Sequence, residues 1–187
     1  MKALLFGNRS MIACVICYLS WWIITFKPPA PKNSPAGNVF LMGAFLFGIG
    51  GIFVISHGIL RMVDRQVVNP FSPTWMIPVA GIGVYAILLF ITSSLLHRQV
   101  TSELFIIIGW TVLETCLVCT MFKYGIVRKE QLIALMFGII VVMVLSIICY
   151  LLYYKLEYVK GYYDGMAPLV LTGIMMVIIN ITVKESI

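Results

Sequence analysis

Charged residues are scarce in this chain. Only 11% of its 187 residues are Asp, Glu, Lys or Arg, whereas about 25% is usual for a soluble globular protein. Hydrophobic residues make up 61%, and the mean hydropathy is +1.05. The chain has seven acidic residues and two histidines, which leaves few groups for acid–base or metal chemistry. The composition leaves no room for a soluble domain and predicts an integral membrane protein embedded in the lipid bilayer.

Motifs for catalysis and nucleotide binding are missing too. The sequence has no glycine loop that follows a strand, no Ser-His-Asp arrangement and no His-Glu-x-x-His zinc motif. The net charge of +6 comes from Lys and Arg in the joints between apolar runs, so it indicates orientation in a membrane and not a nucleic-acid partner. No cofactor is expected. Among possible functions, we rank a channel or transporter first, an accessory or assembly subunit of a membrane complex second, and a membrane-embedded enzyme third.

Six apolar runs predict an all-α bundle of six transmembrane helices in a single domain. The proline-rich stretch KPPAPKNSPAGN, at 27–38, ends the first run. Charged and aromatic residues alternate in 155–165, which predicts an interfacial segment along the membrane surface. The predicted spans are 11–26, 39–60, 75–96, 104–122, 132–154 and 166–183.

The basic residues predict how the bundle is oriented. The two termini and the second and fourth joints hold eight of the 13 Lys and Arg residues, and the other three joints hold five. Because basic residues accumulate on the cytoplasmic side, both termini are predicted to be cytoplasmic.

Glu114 stands alone in the middle of the fourth predicted span. An ionised carboxylate at that depth costs about 2.5–3.5 kcal/mol on insertion scales, so such a residue usually faces protein or water. Trp110 lies one helical turn before it, and Thr111 and Thr115 flank the same side. These four residues predict a polar strip that lines a transport path. The alternative is a carboxyl group that only joins two helices by a hydrogen bond.

The second predicted span carries a stripe of small residues and a histidine. Ala44, Gly48, Gly51 and Gly58 recur on one face, which allows another helix to approach closely. A pore-lining backbone surface is the alternative role. His57, near the inner end of the span, is a further candidate for the transport path because histidine titrates near neutral pH.

Two pairs of cysteines are expected to lie at the same depth in the membrane. Cys14 and Cys17 lie in the inner half of the first span, and Cys116 and Cys119 in the inner half of the fourth. Four thiolates could form a tetrahedral metal site if those helices touched. Cysteine also packs as a small apolar residue, and we expect this role and no metal.

The second to fourth spans resemble the acetate uptake transporters, the succinate–acetate permease family of six-helix proteins. The resemblance implies a ring-shaped homo-oligomer with one pore per subunit and a small weak acid as the solute. Glu114 stands where that family tends to be apolar, and the family's amino-terminal Asn-Pro-x-Pro-Leu-Gly-Leu signature is absent. The matching residues are Met42-Gly43, Phe45, Gly48-Ile49, Ile52-Phe53, Asn69-x-Phe71-x-x-Thr74, Trp110-x-Val112 and Lys123.

The chain also resembles, in second place, the urea and amide channel family. The residues that carry this likeness are Asn38-x-Phe40 and Gly43, at the start of the second span. Either family implies passage of a small solute. If the chain instead served a larger complex, its partners would be other membrane subunits.

Overall fold

A computed structural model describes residues 2–29, 34–62, 102–153 and 155–185. It also describes six separate helical residues, namely Gly83, Ala86, Ile87, Phe90, Ile91 and Ser94. The predicted third span, 75–96, otherwise lies outside the described residues. Within the described part every regular element is an α-helix, so the all-α prediction is confirmed at this level. The helices are α1 (Lys2–Phe26), α2 (Pro35–Met62), α3 (Ser102–Lys123), α4 (Lys129–Tyr153) and α5 (Tyr158–Glu185).

All five helices are long and apolar enough to cross a membrane. Their outer faces carry exposed large apolar side chains, such as Phe45 and Phe53 on α2 and Phe137 on α4. The main core contains residues of all five helices, and Leu117 on α3, Ile139 on α4 and Ile179 on α5 are completely buried in it. Side chains that point outward are therefore as apolar as those that point inward, which is typical of helices surrounded by lipid.

The turn between α3 and α4 is specified by its local sequence. Gly125 has a φ of 69°, and its N–H donates to the Phe122 carbonyl at 3.0 Å. The N–H of Ile126 donates to the Met121 carbonyl at 2.9 Å, which completes the Schellman motif that ends α3. Gln131 Oε1 then accepts the backbone N–H that precedes α4. This short turn makes α3 and α4 antiparallel neighbours.

The helices define two ends of the bundle. At the aromatic end, the indole N–H of Trp22 on α1 donates to the Tyr162 carbonyl on α5 at 3.2 Å, and the Trp22 ring lies 6.3 Å from that of Tyr153 on α4. At the other end, called here the basic end, Leu4 of α1 packs against Gly58 of α2. The basic residues of this end are Lys2, Arg61, Lys123, Arg128, Lys129 and Lys184.

Met62 and Ser102 lie at opposite ends of the bundle. Met62 ends α2 at the basic end, one turn beyond the Leu4–Gly58 contact. Ser102 begins α3 at the aromatic end, because Ile107 and Ile108 cluster with Tyr150, near the end of α4. Both described chain ends, by contrast, share the basic end, since the Asn8 side chain on α1 donates to the Met176 carbonyl on α5 at 2.9 Å.

The helices extend beyond the predicted spans, most of all at the starts of α1 and α5. Helix α5 begins at Tyr158 and not at 166, so eight of the eleven residues of the predicted interfacial segment are helical. Contact with α1 explains the difference, because a Cβ at Gly165 would lie 2.5 Å from the Trp22 ring. Similarly, α1 begins at Lys2 and not at 11, and its first turns are packed, with Leu4 and Asn8 buried.

Candidate functional site

Glu114 is fully buried in the middle of α3, with 0% of its surface exposed. Neither carboxyl oxygen has a hydrogen-bond partner among the described residues. Buried polar groups are almost always paired, and a buried charge is costly unless it is neutralised. A charged carboxyl group in this position would therefore be unpaired among the described residues.

The four predicted residues of the polar strip fall into two kinds of environment. Trp110 is buried like Glu114, and its indole N–H also lacks a partner in the described part of the chain. Thr111 is half-buried, and its hydroxyl donates to the Ile107 carbonyl of its own helix at 2.9 Å. Thr115 is half-buried as well. The inward-facing part of the strip is thus the pair Trp110 and Glu114, one turn apart.

A serine on α4 belongs to the same buried layer. Ser146 is fully buried, and its hydroxyl has no partner among the residues that the structure describes. Ile107 and Ile108 on α3 cluster with Tyr150 on α4, so Ser146, one turn before Tyr150, lies near the level of Trp110. Several buried positions follow matching steps in opposite directions along the two helices. The two series are Trp110, Glu114, Leu117 and Met121 on α3, and Ser146, Val142, Ile139 and Leu135 on α4.

His57 is not part of this buried layer. Its side chain is exposed on α2, near the basic end, whereas Glu114 has no exposed surface. The structure therefore separates these two candidates for the transport path. The sequence predicted the depth of His57 in the membrane but not the face of α2 on which it lies. That face determines whether His57 can contact Glu114.

The small-residue stripe of α2 faces α1. A Cβ at Gly51 would lie 2.9 Å from Met11 Sδ, and a Cβ at Gly58 would lie 2.6 Å from a Leu4 methyl carbon. Ala44 is also buried. On this evidence the stripe serves helix packing, and it lines neither of the cavities described below.

The two cysteine pairs lie in separate places. A Cβ at Gly48 would meet Cys14 Sγ at 3.1 Å, and a Cβ at Gly43 would meet Cys17 Sγ at 3.4 Å, so the first pair faces α2. Cys116 is part of the buried core. All five cysteines are free thiols. Within the described residues, His, Cys, Asp and Glu form no group of three or more that could hold a metal ion.

Two surface cavities lie away from the buried layer. One, of about 400 Å³, is formed by the end of α1 and the start of α5, with Lys27, Tyr162 and Tyr163 in its wall. The other, of about 210 Å³, lies between α4 and α5 and includes Gly138 and Met175. Neither is lined by Glu114 or by the other residues predicted for the transport path.

No family model matches this chain, and no curated protein or solved structure matches it. Its function must therefore be inferred from the chemistry of its own buried groups.

Four buried polar residues were missed from the sequence, namely Asn8, Thr120, Ser146 and Thr172. Ser146 interrupts an apolar run, and its steps of four to Val142 and Tyr150, which are also buried on α4, could have marked it as inward-facing. Asn8 lies in the polar start of the chain, outside the predicted first span, and is only 1% exposed. Nothing in the sequence around Asn8 indicates burial, because its partner is a backbone carbonyl 168 residues away.

Proposed function

We propose that this chain is a multi-pass integral membrane protein with six spans. The five described helices support membrane insertion by their length and apolar character. A sixth span between α2 and α3 is supported by the positions of Met62 and Ser102, since a chain that links opposite ends of a bundle must pass along it. Both termini are proposed to be cytoplasmic, because they share the end that carries the basic residues.

Within this membrane protein, we propose a channel or transporter for a small solute, in which Glu114 takes up and releases a proton. The observation that carries the proposal is the complete burial of this carboxyl group without a partner among the described residues. An ionisable residue inside the membrane is by default a functional candidate. A group that served only to join helices would gain its stabilisation from a hydrogen bond, and the Glu114 carboxyl group makes none with the described residues.

The solute proposed is a weak monocarboxylic acid, and the homo-oligomer is the proposed assembly. Support for both comes from the resemblance of α2 and α3 to the acetate uptake transporters. A protonatable carboxyl group in the path also suits a solute that crosses together with a proton. Urea or an amide would fit the resemblance to the urea and amide channel family, so both should be tested as solutes beside the weak acids.

Flux into liposomes that contain the purified protein tests this proposal. Glu114→Gln preserves shape and most hydrogen bonding but cannot exchange a proton, so weak-acid flux should persist while losing most of its pH dependence. Glu130→Gln is the matched control, because Glu130 is an exposed carboxylate at the start of α4. Flux of unchanged rate and pH dependence in Glu114→Gln would instead indicate a structural role. In that case Glu114→Leu should cost about 1 kcal/mol of stability.

An accessory or assembly subunit of a larger membrane complex is the second candidate. It is favoured by the two cavities, neither of which contains a residue of the predicted path. Oligomeric state separates the two candidates. A homo-oligomer that is stable on its own favours transport, and constant co-purification with other membrane chains favours the subunit.

A further inference from the structure

The groove between α4 and α5 is apolar along its length. Its volume is about 210 Å³, and its walls include Ala134 and Gly138 of α4 and Met175 and Ile178 of α5. The two helices approach closely at Gly138, because even a Cβ there would lie 2.9 Å from Met175 Sδ. Ala134 is exposed, so the groove opens on the outer surface of the bundle.

The mouth of the groove is polar, and exposed basic residues lie near it at the start of α4 and the end of α5. Gln131 and Thr182 line its upper part, at the basic end. Arg128 is exposed one turn above Gln131, and Gln131 Oε1 accepts its backbone N–H at 2.9 Å, which fixes the two residues beside each other. Lys129 and Lys184 are exposed on either side, at the start of α4 and the end of α5. The first turn of α4 adds the partial positive charge of a helix amino terminus.

We propose that an anionic phospholipid occupies this groove, with its phosphate beside Arg128 and one acyl chain along Ala134 and Gly138. The proposal rests on the membrane location proposed above. Basic pockets between transmembrane helices on the cytoplasmic side are suited to anionic headgroups, and the basic end of this bundle is the proposed cytoplasmic side. Charge complementarity at the mouth selects the headgroup.

The shape and surroundings of the groove fit a lipid rather than a soluble anion. From Gln131 to Gly138 the groove follows α4 for about 10 Å, given a rise of about 1.5 Å per residue, which accommodates the upper part of one acyl chain. Exposed apolar side chains lie near it, including Phe137 at 69% and Ile174 at 52% exposure. A soluble anion would use the mouth only and leave the apolar walls empty.

Native mass spectrometry of the full chain in detergent tests the proposal, with phosphatidylglycerol and phosphatidylcholine as the probes. Phosphatidylglycerol should bind more tightly than phosphatidylcholine. Arg128→Gln should weaken phosphatidylglycerol binding about fivefold, which is the effect of removing one basic side chain near an anionic headgroup. Lys160→Gln is the control, because Lys160 is exposed in the first turn of α5, at the opposite end, and should leave binding unchanged.

A second variant tests the acyl-chain part of the groove. Ala134→Leu places a larger side chain at an exposed position, so the fold should persist while lipid binding falls. Equal binding of the two lipids, or equal effects of Arg128→Gln and Lys160→Gln, would overturn the proposal. It would also be overturned if Ala134→Leu had no effect and inorganic phosphate displaced the lipid. Failure here leaves the flux test of Glu114 untouched, so the two proposals can fail separately.

Discussion

A buried side-chain amide forms one of the hydrogen bonds between α1 and α5. The Asn8 side chain donates to the Met176 carbonyl at 2.9 Å, and its own carbonyl oxygen is buried without a partner among the described residues. Hydrogen bonds between membrane helices contribute about 0.6 kcal/mol on average and up to about 1.7 kcal/mol. Because this hydrogen bond joins one donor on α1 to one acceptor on α5, Asn8 also fixes the position of α1 along α5.

We predict that Asn8→Ala lowers the stability of the protein by about 1 kcal/mol, because it removes this bond and leaves a small gap in a buried position. The measurement is thermal unfolding of the detergent-purified protein. Asn38→Ala is the control, since the Asn38 side chain is exposed at the start of α2, and a surface change of this kind usually stays within about 0.5 kcal/mol. Equal effects of the two substitutions would contradict the role of Asn8.

Sequence alone identified Glu114 because a carboxyl group in an apolar run is conspicuous whatever its neighbours are. It could not identify Asn8 or Ser146, whose burial depends on which helices meet. His57 shows the same limit from the other side, because the sequence did not indicate that its side chain is exposed. Composition thus predicts which side chains are costly in a membrane, and only helix pairing determines which of them come together.

At the scale of elements, the pairing of α1 and α2 is the closest among the described helices. Gly7 and Gly51 approach so nearly that a Cβ on either would lie 3.1 Å from the carbonyl oxygen of the other. The small-residue stripe of α2 could be recognised in the sequence because its spacing matches one face of a helix. The surface of α1 that it contacts could not be recognised, since Leu4, Met11 and Cys14 form no conspicuous pattern on α1. A small residue in a helix indicates that another element packs closely against it, but it does not identify that element.

Two adjacent glycines of α2 allow a matched test of this pairing. Gly51→Leu should destabilise the protein by about 1–3 kcal/mol, because the new side chain would meet Met11 and the backbone of α1. Gly50→Leu should have little effect, since a Cβ there meets nothing within 4 Å. Leu46→Ala, at a position that is 70% exposed, is a second control. Thermal unfolding is again the measurement, and similar losses in all three variants would show that the stripe is not an interface.

Helix ends were predicted less well than helix existence. Apolar character marks the part of a helix that lipid surrounds, so the predicted span at 166–183 omitted the first turns of α5, where charged and tyrosine residues are frequent. Those turns are helical because they pack on α1 and α4, through Trp22 and Tyr153. Pro168 inside the helix removes one backbone donor without ending it. Contacts between helices therefore override the local signals of the sequence.

At the scale of the whole molecule, the ends of the bundle differ in chemistry. Trp22, Phe26 and Tyr153 lie together at one end, with ring centroids of Trp22 and Phe26 4.6 Å apart. The other end carries exposed basic side chains, including Lys123, Lys129 and Lys184. Aromatic residues favour either membrane interface, whereas Lys and Arg favour the cytoplasmic one, so the asymmetry supports the proposed orientation.

The orientation leads to a prediction about the whole chain. Reporter fusions that end at Met62 and at Ile187 should both read out in the cytoplasm, because the basic end holds Met62 and the last turn of α5. Fusions that end at Pro29 and at Ser102 should read out on the opposite side, since α1 ends and α3 begins at the aromatic end. The decisive pair is Met62 and Ser102. Readouts on opposite sides require a crossing between them and hence an even number of spans. Readouts on the same side would contradict the proposed sixth span. A non-cytoplasmic signal after Ile187 would contradict the orientation inferred from the basic residues.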